Sequence, residues 1–78
     1  MVINLFPEYS EILVEYDLEL LMVYVSGLTP EDFWEEFKEF DDVNDPESFA
    51  LGYAARVREE GKFVTVEPVY VEIDDWWH

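Results

Sequence analysis

The sequence predicts an α+β fold, one small domain in which antiparallel strands from the N- and C-terminal parts of the chain pack against two short helices. Three observations predict it. Residues 11–25 alternate apolar and acidic side chains with a period of two, and residues 62–73 alternate again. Between them, Thr29-Pro30-Glu31 and Asp45-Pro46-Glu47 both read as helix starts. At 78 residues the chain has room for one domain.

Met1 to Phe6 reads as a short additional strand stopped by Pro7. In the first alternating run Glu11, Glu15, Asp17 and Glu19 hold odd positions, while Ile12, Val14, Tyr16, Leu18, Leu20, Met22 and Tyr24 fill the even ones. A helical face formed by Glu8, Glu11, Glu15 and Glu19 competes with this reading. The β-branched and tyrosine residues of the second half favour strand, with one bent strand or two both open. Ser26-Gly27 ends the element.

Thr29 is placed as an N-cap, Pro30 as the first helical residue, and Asp32 three positions on as in a capping box. Phe33, Trp34, Phe37 and Phe40 then form a stripe at helical spacing, expected to face the core. Asp41 to Asn44 breaks the pattern. Asp45-Pro46-Glu47 opens a second helix through Phe49, Tyr53, Ala54 and Val57, with Arg56 and Arg58 in its last turns and Gly61 at C′. The closing strand reaches Ile73, with Pro68 marking an edge, a bulge or a break.

Composition then limits function. Twenty Asp and Glu against four Lys and Arg give a formal net charge of −16. Such charge is common in disordered chains, but half of these residues are hydrophobic and 18% are aromatic, which supports a folded core. With no cysteine there is no disulfide, zinc–thiolate site or thiol nucleophile. No apolar run approaches the roughly 18 residues of a membrane span, and no secretory signal pattern opens the chain. A cytoplasmic location is expected, that of a host cell if the protein is viral. Charge opposes direct contact with nucleic acid or an anionic membrane, and favours basic partners.

Catalysis is not expected. The one histidine is His78, and Ser10, Ser26 and Ser48 have no evident activating base. Asp41-Asp42-Val43-Asn44-Asp45 suggests a calcium loop, but the required Gly and Glu fall out of register. The expectation is therefore no enzyme, no metal and no cofactor.

The outlying feature is the acidic stretch Glu31, Asp32, Glu35, Glu36, Glu39, Asp41, Asp42, Asp45 and Glu47, against the single cation Lys38. On a helix, acids three and four apart stand about 5–6 Å from one another. Duplex DNA carries one phosphate per roughly 3.4 Å on each strand. A helix face of this kind, continued by an acidic loop, imitates a short stretch of phosphate backbone. Solubility alone asks for a net charge of about 2–8 in a small domain. Adaptation to high salt is the other general account of such acidity. Trp76 and Trp77 would point to opposite sides of a strand, one closing the core and the other facing a partner or a second copy of the chain.

In charge, size and lack of catalytic residues the profile is similar to that of small DNA-mimicking inhibitors of phages and mobile elements. That resemblance implies an anti-CRISPR or anti-restriction type of inhibitor whose partner is a basic, nucleic-acid-binding protein. The alternative is a non-enzymatic interaction module that docks through its aromatic residues, with the charge serving solubility or salt tolerance.

Overall fold

The first alternating run folds as a hairpin. In the computed structural model, which describes residues 9–69, β1 (Glu11–Asp17) pairs antiparallel with β2 (Met22–Leu28), placing Ile12 opposite Gly27 and Val14 opposite Val25. The turn between them is closed by the buried Asp17, whose Oδ1 accepts the backbone N–H of Glu19 and of Leu20, both at 2.9 Å. The expected strand at Met1–Phe6 and the Trp76-Trp77 pair lie outside the described residues.

The segment expected to form the first helix is instead a third strand. β3 (Trp34–Phe40) pairs antiparallel with β2. Thr29 and Asp32 do not cap a helix but build the β2–β3 turn. The Asp32 N–H donates to the Thr29 carbonyl at 2.9 Å, and the Thr29 N–H donates to the Phe33 carbonyl at 2.7 Å. The Thr29 hydroxyl accepts the Phe33 N–H at 3.1 Å. Pro30 suits the second position of such a turn, and Asp32 takes a left-handed φ of 68°, the pattern of a three-residue hairpin loop. Threonine, proline and acids serve a turn as well as a helix start, and pairing with β2 decides the outcome.

Among the described residues the one helix is that opened by Asp45. α1 (Pro46–Glu59) has Asp45 as N-cap, its Oδ1 accepting the Ser48 N–H at 3.2 Å, and Pro46 in its first turn. It ends at Glu60, and Gly61 follows with φ 87°, donating to the Arg58 carbonyl at 2.9 Å. β4 (Phe63–Pro68) then pairs with β1 in parallel, so the sheet is mixed rather than antiparallel, in the order β3-β2-β1-β4. A parallel return needs a crossover, and α1 supplies it by passing from one edge of the sheet to the other. Pro68 sits on an edge strand, where its missing N–H leaves no ladder bond unmade.

One face of the sheet receives the helix. Ile12, Val14, Val23 and Val25 are fully buried there against Ala50, Ala54 and Val57 of α1, with Val43 closing one end. Small residues on the inner helix face let it approach the β-branched floor. Tyr9 closes the other end. Its ring lies directly on Gly27, so that a Cβ at position 27 would clash with the ring, and it stacks on Phe37 with centroids 5.0 Å apart.

This contact predicts that Gly27→Ala displaces Tyr9, costs about 2 kcal/mol, and lowers the thermal midpoint by roughly 10 °C in a domain of this size. Thermal denaturation followed by circular dichroism reads it. An unchanged midpoint would show that Tyr9 does not rest on Gly27.

Candidate interaction surface

Among the described residues no helix packs on the other face of the sheet, and an irregularity in β3 determines what it displays. Ser26 pairs with Glu36 and Val25 with Lys38, so Phe37 is the extra residue of a bulge in β3. Before this bulge Glu35 shares the helix side with Gly27. After it, Lys38 faces that side with Val25, and Phe40 with Val23. Phe37, stacked on Tyr9, faces the helix side too. Glu36 and Glu39 remain on the open face, opposite Ser26 and Tyr24. Without the extra residue, Lys38 would stand on the same face as Glu36.

Across the open face one row runs Glu39, Tyr24, Glu15, Glu67, with Glu36, Ser26, Leu13 and Thr65 beside it. Strand separation of about 4.8 Å makes that row roughly 14 Å wide. Tyr24 stands among the acids, its phenol pushed up first by burial and then by the charges of Asp17, Glu39, Glu36 and Glu15. The Glu15 carboxyl is likewise raised, by partial burial and by Glu67 and Glu36. Toward the β2–β3 turn the face becomes apolar, with Trp34 49% exposed opposite Leu28, and Phe63 77% exposed beside Glu11.

The nine acids read from the sequence therefore do not share one face. Glu31 and Asp32 lie in the β2–β3 turn, Asp41 and Asp42 in the loop after β3, Asp45 at the cap and Glu47 in the first turn of α1. Glu35 is on the helix side, where its Oε1 accepts the Tyr9 hydroxyl at 2.6 Å. Glu36 and Glu39 meet two acids that the sequence reading did not include, Glu15 and Glu67. The signal for Glu15 was present in the odd-position acids of the first run. Of the expected aromatic stripe, Phe37 and Phe40 pack against the core, whereas Phe33, 68% exposed, and Trp34 do not.

Among the described residues no cluster of three or more His, Cys, Asp or Glu is placed to hold a metal ion. No helix among them is long and apolar enough to cross a membrane. No protein-family model, curated protein or solved structure matches the chain.

Two pH dependences follow. Ionised Glu15 is disfavoured in the folded chain, so its contribution to stability is present at acid pH and is lost as pH rises through its raised pKa. Glu15→Gln should stabilise the fold at pH 7 by roughly 0.2–1 kcal/mol through relief of cross-strand repulsion, read as a higher thermal midpoint, and the gain should shrink toward pH 4. A midpoint lowered at pH 7 would contradict the crowding of these acids. The Tyr9 phenol is pushed up from 10.0 to about 12, chiefly by its hydrogen bond to Glu35, then by burial and the Glu35 charge. Its contribution holds below pH 10 and is lost as pH climbs through about 12. Tyr9→Phe should flatten that alkaline loss in a pH titration of stability.

Proposed function

We propose that the open face of the sheet imitates a run of nucleic-acid phosphates and occupies the basic cleft of a nucleic-acid-binding protein. The observation that carries this reading is the arrangement of Glu36, Glu39, Glu15 and Glu67 around Tyr24 on one face of the sheet. Four carboxylates fall within roughly 14 Å, the distance in which one strand of a duplex places about four phosphates. A cleft that neutralises phosphates with Lys and Arg would meet a similar charge density here, and release counterions as it does on DNA. The charge of −16 adds long-range attraction for a basic partner and repulsion for nucleic acid itself. On this reading the protein is an inhibitor without catalysis, of the anti-CRISPR or anti-restriction type, acting in the compartment where its target meets nucleic acid.

A second reading rests on the exposed Trp34 and Phe63 at the end of the same face. A partner could dock on these aromatics with the acids as a polar rim. Trp76 and Trp77, expected from the sequence to serve such docking, lie outside the described residues.

The test is capture of partners from a nuclease-treated bacterial lysate at about 0.1 M and about 0.5 M salt, where the screening length falls about twofold. A nucleic-acid-binding protein retained at low salt and displaced by added DNA is expected. With that partner purified, Glu36→Lys combined with Glu39→Lys should weaken binding at least about tenfold. Glu47→Lys combined with Glu59→Lys changes net charge equally on the helix, and should change binding by about twofold or less. Equal losses from both pairs would mean that net charge acts and this face does not. Binding that ignores salt and DNA but is lost in Trp34→Ala would establish the aromatic reading instead.

A further inference from the structure

The helix side of β3 carries a second, chemically opposite feature. α1 packs over β4 and β1 and leaves β3 uncovered by its backbone, so a groove remains between the helix flank and that strand. Phe49, Gly52, Tyr53 and Arg56 recur along that flank at helical spacing, and Lys38 and Phe40 form the opposite wall. The space is about 510 Å³, within the usual range for small-molecule sites. Gly52 keeps it open, since a Cβ there would meet no atom within 4 Å.

Three aromatic rings give the groove its apolar lining. The Phe40 ring lies 4.8 Å from that of Phe49 and 5.7 Å from that of Tyr53, centroid to centroid. Above them stand two of the chain's four basic side chains. Lys38 Nζ is 6.0 Å from the Phe40 centroid. Arg58, by contrast, is used within the fold, donating to the Val64 carbonyl at 3.1 Å. Among the described residues neither Lys38 nor Arg56 has a carboxylate within ion-pair distance. Two cations at one aromatic groove, with no ion-pair partner among the described residues, form a local site for an anion.

The groove continues past Phe40, Ser48 and Phe49 into a second hollow bordered by Asp41, Asp42 and Asp45. The whole is bipolar, with cations at one end, rings in the middle and hydrogen-bond-accepting carboxylates at the other. We infer that it binds a nucleoside monophosphate, with the phosphate between Lys38 and Arg56, the base against Phe40 and Phe49, and a base amino group toward the acidic end. A dianion suits two cations on opposite walls better than a carboxylate does, and the exposed acids around the groove repel the further phosphates of a longer strand. This site is separate from the open face, and its test does not depend on the partner of that face.

The experiment is a titration of the whole chain with AMP, followed by backbone amide NMR shifts. Shifts centred on Phe40, Phe49, Gly52 and Tyr53 are expected. Adenosine, inorganic phosphate and UMP, which lacks the amino group, should each bind at least about tenfold more weakly. Lys38→Ala and Arg56→Ala, both at exposed side chains, should each weaken AMP binding about tenfold with an unchanged circular dichroism spectrum. Gly52→Leu fills the groove without altering charge and removes a helix-weakening glycine, so it should abolish binding while the fold is kept or strengthened. No localised shift with AMP, equal binding of inorganic phosphate or UMP, or binding retained in Gly52→Leu would overturn the assignment. An oligonucleotide that binds as tightly as AMP would overturn the choice of a mononucleotide.

Discussion

The arrangement of this molecule depends on one extra residue in one strand. Phe37 is inserted between the residues that pair with Val25 and Ser26, and the alternation of β3 shifts by one position there. Before it, Glu35 and Glu36 divide between the two faces. Beyond it, Lys38 and Phe40 turn toward the helix side while Glu39 stays with Glu36. The bulge therefore sorts charge as well as shape. It removes the one cation of β3 from the open face and delivers the Phe40 ring to the packed one. Phe37 meets Tyr9, which rests on Gly27, and Phe40 meets Phe49 and Tyr53 of the helix. Both ends of the helix side are thus closed through the strand that carries the irregularity.

A chain with sixteen excess negative charges must hold together against its own field. The buried core shows how little material does this. Ile12, Val14, Val23 and Val25 form the floor, and Ala50, Ala54 and Val57 press on it from the helix. Among the described residues every buried side-chain polar atom has a hydrogen-bond partner. Asp17, the buried acid, closes the hairpin turn through two backbone N–H groups. The strain of like charge is concentrated where Glu15, Glu36 and Glu67 crowd on the open face. Ordinary surface design would scatter those charges or intersperse lysines.

Much of the fold was legible, and the part that was not has a physical cause. The period-two run favoured strand because its inward residues are β-branched and its outward ones are largely acidic or polar, but it left open whether one strand or two were present, and β2 runs through Ser26-Gly27 to Leu28. Asp45-Pro46 and Gly61 marked both ends of α1, because cap and C′ residues act locally and need no distant partner. Thr29-Pro30-Glu31-Asp32 misled because the same side chains satisfy a hairpin turn. Phe37 and Phe40 misled for a deeper reason. Aromatic residues three apart on one face are the mark of a helix in regular structure, but a bulge gives the same spacing in a strand. The bulge exists only in relation to β2, and a single segment cannot show it. For the site the same limit applies: Glu15 and Glu67 come from different strands, and only the parallel pairing of β1 with β4 makes them neighbours.

The two faces can be understood as one consequence of that pairing. A four-stranded sheet with one helix has one face to bury and one to expose, and the shift in β3 assigns acids to the exposed face and cations to the groove beside the helix. Neither surface would survive alone if the register changed. Sliding β3 by one residue would carry Lys38 among the acids of the open face and turn Phe40 away from Phe49 and Tyr53. The acidic array would lose its uniform sign, and the groove would lose one of its two cations and one of its three rings. Charge segregation and aromatic packing thus require the same register. Each disfavours the slipped alternative of the other, which is how an edge strand dense in like charges can still hold a single position.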